Sequence, residues 1–116
     1  RLILPVMHTL LKDGGHSVCL IKPQFEAGRS AVGKGGIVRR REHREAAIRR
    51  VLEGAAASGL SCVGLTVSPI TGGDGNIEYL ALFCRTAAMG ARRQIGESEI
   101  RAVTEITRIG GETDDR

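Results

Sequence analysis

Two residues whose types suit catalysis lie at the ends of predicted strands. Lys22 directly follows the apolar run SVCLI (17–21), and Glu78 begins a later strand after the turn-rich segment TGGDGN. In parallel sheets, ligands bind in the crevice outside the carboxyl ends of the strands, where Lys22 is expected. If the later strand inserts beside the first, the two side chains meet and the carboxylate orients the ammonium. The alternatives are a structural ion pair and, for a lone strand-end lysine, a surface residue.

Hydrophobic periodicity predicts the elements that position this pair. The segment RLILPVMHTLLKDGG (1–15) has the apolar spacing of an amphipathic helix, and the strand at 17–21 should be an interior strand, buried on both faces. A second helix is predicted at about 43–58, and further strands at 60–70 and 77–83. A helical crossover allows the first two strands to run parallel, whereas the short connection between the last two demands antiparallel pairing. The predicted fold class is α/β, a helix followed by β-α-β-β with the last strand antiparallel.

The C-terminal part of the chain has a different character. A domain is predicted at 1–84, followed by a tail at 85–116. Apolar residues spaced three apart in this tail predict a helix at about 97–108 that packs on the sheet, packs on a partner or stays mobile. The final segment, GETDDR, is expected to be disordered.

Positive charge is concentrated in one segment of this chain of 116 residues and net charge +4. Between residues 22 and 50 there are nine Lys and Arg against three Glu. Such a surplus suggests a polyanionic partner, and a solvated run of charges gives the same pattern. The candidate phosphate-binding residues are Arg29, Lys34, Arg39, Arg40, Arg41 and Arg44. With only three aromatic residues in the sequence, a broad base-stacking platform is not expected.

Several classes of function find no support in the sequence. No apolar run approaches the roughly 18 residues of a membrane span, and no signal peptide is recognised, so a soluble cytoplasmic protein is expected. Cys19, Cys62 and Cys84 form no C-x-x-C pair and are predicted to be buried thiols; no metal-ligand spacing is present. The segment GRSAVGKG (28–35) nearly matches a phosphate-binding loop, but Gly35 replaces the required hydroxyl, and we interpret the match as accidental.

Two motifs resemble a known family. KPQFE (22–26) and SPITGGDGNIE (68–78) occur in the order and at the approximate spacing typical of the haemolysin-A-type (TlyA) ribosomal RNA 2′-O-methyltransferases, within the FtsJ-like group. The resemblance covers about residues 1–84 and corresponds to the C-terminal half of the methyltransferase domain. It implies a Rossmann-like sheet with a reversed last strand, S-adenosylmethionine as cofactor, and ribosomal RNA or a ribosomal subunit as partner.

The resemblance also implies roles for the strand-end pair. In FtsJ-like enzymes a Lys-Asp-Lys-Glu tetrad surrounds the ribose 2′-hydroxyl, and its second lysine and its glutamate correspond to Lys22 and Glu78. Lys22 would deprotonate or polarise the hydroxyl, and Glu78 would hold the ammonium in place. The first tetrad lysine, the aspartate and the glycine-rich cofactor loop have no counterpart in residues 1–16, and Asp13 is not the tetrad aspartate. The cofactor-binding residues are therefore unknown, and the chain is expected to be inactive alone.

Two other expectations concern partners. A basic RNA-binding module without catalysis is the alternative function, whereas a membrane-active haemolysin finds no spanning segment or basic amphipathic helix here. If strand 17–21 has no upstream neighbour, its apolar edge should attract another chain. A homo-oligomer is therefore predicted.

Overall fold

The structure, a computed structural model, describes residues 16–26, 28, 32–73, 75–88, 90 and 93–107. The elements in chain order are strand β1 (His16–Ile21), helix α1 (Pro23–Glu26), helix α2 (Arg41–Ala57), strands β2 (Leu60–Val67) and β3 (Tyr79–Arg85), and helix α3 (Glu97–Thr104). Single 3₁₀ turns at Lys34–Gly36 and Thr86–Ala88 lie in the connections. The helix predicted within 1–15 lies outside the described residues.

Strand β3 occupies the centre of a three-stranded sheet of order β1-β3-β2. It pairs antiparallel with both neighbours, so β1 and β2 run in the same direction and are separated by β3. Ile21 and Val67 both lie opposite Tyr79, which brings the carboxyl ends of β1 and β2 level with the start of β3. The predicted α/β class with a reversed last strand is confirmed.

The prediction that the first strand is buried on both faces is wrong for the described part of the chain. Cys19 and Ile21 are buried, but Val18 and Leu20 between them are 59% and 38% exposed. Among the described residues, strand β1 lies at the edge of the sheet because β3 takes the place between the two strands of common direction. An apolar run shows that a strand can be buried but does not show which elements cover it.

The core lies between one face of the sheet and the helices α2 and α3. Ile48 and Val51 of α2 form one buried cluster with Phe83 of β3 and with Ile100 and Val103 of α3. The helix predicted in the C-terminal tail therefore packs on the same core as the sheet. It ends earlier than predicted, since α3 spans Glu97–Thr104, and the residues after 107 lie outside the described part of the chain.

Arg44 joins three elements through one buried side chain. It is 3% exposed, and its Nε donates a hydrogen bond to the Tyr79 hydroxyl at 2.9 Å. Its Nη1 donates to the Arg39 carbonyl at 2.7 Å, and its Nη2 donates to the Thr104 carbonyl at 3.0 Å. The planar guanidinium presents several donors in a fixed fork, which suits it to three acceptors in different directions. Arg44 thereby holds α2 to β3 and to the end of α3.

A second polar link between the two helices surrounds Glu45. Its carboxylate accepts hydrogen bonds from Arg41 and Arg49, and Arg49 also donates to Glu97 at the start of α3. The hydrogen bond from Arg41 holds the pKa of Glu45 below its usual value, with the charge of Arg49 acting in the same direction. The amino-terminal half of α2 is therefore fixed to α3 by charged groups as well as by apolar contacts.

Replacing Arg44 with lysine should destabilise the fold although the charge is kept. A single ammonium on a flexible stem cannot satisfy the Tyr79, Arg39 and Thr104 oxygens together, and each buried group left unpaired costs about 1–3 kcal/mol. We expect Arg44→Lys to lower the free energy of unfolding by roughly 2–4 kcal/mol, measured by urea denaturation.

The matched control for this change is Arg50→Lys, because Arg50 lies exposed on the same helix. It should change the free energy of unfolding by less than about 0.5 kcal/mol. Equal effects of the two substitutions would contradict a special role for the buried guanidinium.

Candidate functional site

Three residues form a row across one end of the sheet. Lys22 follows β1, Glu78 precedes β3 and Ser68 follows β2, each next to a residue of the aligned set that contains Tyr79. The Ser68 N–H donates to the Glu78 carbonyl at 2.8 Å, which continues the β2–β3 pairing by one step. The structure thus brings the predicted pair, Lys22 and Glu78, to neighbouring positions at the same sheet end.

Glu78 is 6% exposed and is held by the short helix that follows Lys22. The Gln24 Nε2 donates a hydrogen bond to the Glu78 Oε2 at 3.0 Å. The other amide atom, Gln24 Oε1, is buried and accepts no hydrogen bond within the described part of the chain. The Lys22 ammonium lies 5.9 Å from the centre of the Phe25 ring. The role predicted for Glu78, to hold the Lys22 ammonium, stays a prediction.

Asn76 fixes the neighbouring loop to this end of the sheet. It is fully buried; its Oδ1 accepts from the Val38 N–H at 2.8 Å, and its Nδ2 donates to the Gly36 carbonyl at 2.9 Å. Asn76 stands two residues before Glu78, so the loop before α2 lies beside the start of β3. The loop is a tight turn in which Gly35 has φ of 77°, a left-handed conformation that favours glycine.

Sequence reasoning missed the roles of Gln24 and Asn76. Both residues belong to the two motifs on which the family resemblance depends, and that membership was the available signal. Neither role follows from residue type alone, because an amide in a turn is more often a local capping group than a link between distant segments.

The loop held by Asn76 carries exposed positive charge. Lys34, Arg39 and Arg40 are all exposed, and the acid that Arg40 approaches, Glu42 at 3.9 Å, is itself on the surface. The Arg39 guanidinium lies against Gly33, since a Cβ at that glycine would stand 2.8 Å from it. Positive charge therefore borders the sheet end that contains Lys22 and Glu78.

The other predicted phosphate-binding residues lie elsewhere. Arg44 is buried and its donors are used within the fold, so we assign it to the framework and not to the surface, contrary to the interpretation of the sequence. Arg41 is half-buried and donates to Glu45 and to the Thr104 hydroxyl. Arg29 lies outside the described residues. Net charge along a sequence cannot separate these cases, because it carries no information on burial.

Thiol and metal chemistry find no site in the described part of the chain. Cys19, Cys62 and Cys84 are free and buried, and burial raises the pKa of Cys62 to about 11, so this thiol is protonated at neutral pH. No group of three or more His, Cys, Asp or Glu able to hold a metal ion occurs among the described residues. Nor is any helix in that part of the chain long and apolar enough to cross a membrane.

The fold matches solved structures of longer proteins. A "putative hemolysin" from Streptococcus thermophilus superposes with a TM-score of 0.77 and 42% identity over 90% of this chain and 36% of its own. A "putative hemolysin" from Lactococcus lactis gives a TM-score of 0.74 and 40% identity over 90% of this chain and 48% of its own. The sheet order, taken with these matches, shows that the chain folds as part of a larger α/β domain.

The chain belongs to the FtsJ-like methyltransferase family, whose family model matches residues 4–85. Among curated relatives, YqxC of Bacillus subtilis, named a "putative rRNA methyltransferase", is 48% identical over 105 residues, which are 90% of this chain and 37% of YqxC. Hemolysin A of Brachyspira hyodysenteriae is 44% identical over 70% of this chain and 34% of its own length.

A further relative is named for a specific reaction. The 16S/23S rRNA (cytidine-2′-O)-methyltransferase TlyA of Mycobacterium tuberculosis is 37% identical over 72% of this chain and 31% of its own length. The family resemblance read from the two motifs is thereby confirmed. The chain spans about a third of the length of the curated relatives it matches.

Removing the Asn76 side chain should release the basic loop. In Asn76→Ala the Val38 N–H and the Gly36 carbonyl lose their partner, at a cost of about 1–3 kcal/mol for the buried groups. We expect faster hydrogen exchange at the Val38 amide and faster tryptic cleavage after Lys34 and Arg39, measured by mass spectrometry at neutral pH.

Thr71→Ala is the control for this prediction, because Thr71 is exposed and lies in the same connection between β2 and β3. It should leave both rates close to those of the unmodified chain. If Asn76→Ala behaved in the same way, the loop would be held by other contacts.

Proposed function

We propose that this chain is part of an enzyme that methylates a ribose 2′-hydroxyl in ribosomal RNA. The observation that carries the proposal is the alignment of Lys22 with Glu78 at the carboxyl end of the sheet, beside an exposed basic loop, in a chain of the FtsJ-like family. The name of the TlyA relative, a cytidine-2′-O-methyltransferase of 16S and 23S rRNA, supports the ribose 2′-hydroxyl as the target group and ribosomal RNA as the substrate.

In this proposal Lys22 acts on the reacting hydroxyl. A ribose hydroxyl is a poor nucleophile at neutral pH. Its attack on a methyl group needs in-line placement and a group that accepts the hydroxyl proton or stabilises the negative charge that develops on the oxygen. Lys22 polarises or deprotonates the hydroxyl, and Glu78 orients Lys22. Gln24 supports Glu78 through its 3.0 Å hydrogen bond, which keeps the buried carboxylate from rotating away.

The exposed residues Lys34, Arg39 and Arg40 bind phosphates on either side of the target nucleotide. Arg29 remains a candidate from the sequence. Three phosphate contacts to a single strand predict that the logarithm of the affinity falls with the logarithm of salt concentration with a slope of about −2. Such contacts position the RNA without reading its sequence.

We further propose S-adenosylmethionine as the methyl donor of the complete enzyme. The described residues do not by themselves form a site that fits this cofactor. A cavity of about 470 Å³ is present, but it lies away from Lys22, toward the opposite end of the sheet. It is lined by His16, Val63, Leu82, Arg93, Gln94 and Ile95. This lining has no carboxylate to bind the hydroxyls or the ammonium of the cofactor. We therefore derive no step through the cofactor and propose that the chain is inactive alone.

The role of Lys22 can be tested in a chimera in which this chain replaces the matching segment of YqxC and so follows the upstream part of that protein. Transfer of labelled methyl from S-adenosylmethionine to unmodified ribosomal RNA is measured. We expect activity in the chimera, none in the 116-residue chain alone, and a loss of about 10²- to 10⁴-fold in Lys22→Ala. Arg50→Ala, an exposed charge change on α2, should leave the rate within about twofold.

Two outcomes of this assay would contradict the proposal. Full activity in Lys22→Ala would remove the lysine from the chemistry. The second outcome is a chimera that binds RNA but does not methylate it, and whose RNA affinity falls no more in Lys22→Ala than in Arg50→Ala. This result would favour a basic RNA-binding module without catalysis.

We also propose that the isolated chain associates through the free edge of β1. The strand pairs on one side only within the described part of the chain, and Val18 and Leu20 expose apolar surface beside that edge. Such an edge is a template for a second strand, here β1 of another copy. Light scattering should show a dimer or larger species at high concentration, and Val18→Lys should shift it toward monomer. A monomer at all concentrations would contradict the proposal.

A further inference from the structure

Two large apolar side chains are exposed at the sheet end that contains Lys22 and Glu78. Phe25, which follows β1, is 75% exposed, and Ile70, which follows β2, is 73% exposed. These are higher exposures than those of Val18, Leu20 and Ile106, the other exposed large hydrophobic residues in the described part of the chain. The two most exposed of these side chains thus come within three residues of Lys22 and Ser68, the two outer members of the row.

The exposure of Phe25 is set by a short, well-fixed turn. Pro23 is buried, Gln24 is held by Glu78 at 3.0 Å, and the Phe25 N–H donates to the Lys22 carbonyl at 2.9 Å. With its neighbours directed inward, the turn leaves the phenyl ring facing solvent. The other two aromatic residues, Tyr79 and Phe83, are fully buried, so Phe25 is the aromatic face that this sequence presents to a ligand.

We propose that Phe25 stacks on a nucleobase of the RNA and so positions the target nucleotide; the inference rests on the proposed function. The ring centre lies 5.9 Å from the Lys22 ammonium, and a ribose whose hydroxyl contacts Lys22 carries its base within the same range. Every base has a π-face, so one aromatic ring holds a splayed-out nucleotide without selecting its sequence.

The charge around Phe25 favours RNA over an apolar protein partner. Lys34, Arg39 and Arg40 are exposed on the loop that Asn76 fixes beside Glu78, and a cation is already placed over the Phe25 ring. An RNA pairs its phosphates with these exposed cations and offers bases to the ring, whereas an apolar surface would leave the charges unpaired.

Tryptophan fluorescence gives a direct test, because the sequence contains no tryptophan. Phe25→Trp places the only indole at the proposed stacking position. Ala56→Trp is the control, since Ala56 is exposed near the end of α2, at the far end of the sheet. Each variant is titrated at about 50 mM salt with a single-stranded RNA oligonucleotide and, separately, with inorganic polyphosphate, which has the charge but no bases.

We expect RNA to quench the fluorescence of Phe25→Trp while polyphosphate does not, and neither to quench that of Ala56→Trp. Affinity for the same RNA should fall roughly 5- to 100-fold in Phe25→Leu and stay near that of the unmodified chain in Phe25→Tyr. Equal RNA affinities for the unmodified chain and Phe25→Leu would overturn the stacking role while leaving RNA binding intact. If the unmodified chain bound no RNA at low salt, the proposed RNA contacts and the stacking role would both fall.

Discussion

The fold depends on one buried guanidinium. Arg44 holds a positive charge in a side chain that is only 3% exposed, a placement that is costly unless its donors are paired. The cost is offset because its donors reach oxygens on three segments: Tyr79 in β3, Arg39 in the loop before α2, and Thr104 at the end of α3. The three segments are far from one another in sequence, and only Arg39 is close to Arg44 itself. One side chain therefore sets the distances between α2, the sheet and α3. Its partner in the sheet, Tyr79, directly follows Glu78 of the candidate site.

Two amide side chains connect this framework to the candidate site. Asn76 ties the basic loop to the start of β3, and Gln24 ties the turn after β1 to Glu78. Both links use neutral amides, which donate and accept at once and so join backbone or carboxylate groups without adding charge to a basic region. The exposed cations of the loop can then remain directed toward solvent. The framework supplies position, and the surface supplies the charge that the proposed RNA substrate requires.

Local periodicity placed the three strands and the helices α2 and α3 to within a few residues, because burial on one side of each element leaves a repeating apolar pattern. It did not predict the short helix α1. The order of the strands could be stated from the sequence only as a condition. The pairing of β3 with β1 involves residues about 60 positions apart, and such contacts leave no local pattern. The site could be predicted in part. Lys22 and Glu78 stand at strand ends, which the sequence indicates, whereas Arg44 and Arg40 look alike in a run of charges and differ only in what packs around them.

The alignment of Ile21, Tyr79 and Val67 at the end of the sheet has a consequence for how this family can vary. Side chains along a strand alternate between faces, so a gain or loss of one residue within β1 or β3 would turn buried side chains to the exposed face and move Lys22 away from Glu78 at the same time. The packing of the sheet and the proposed chemistry at its end therefore depend on the same register. A residue gained or lost within these strands must therefore be absorbed by a bulge, such as the register shift between Cys62 and Gly64 in β2, by a compensating change in the paired strand, or in the connections.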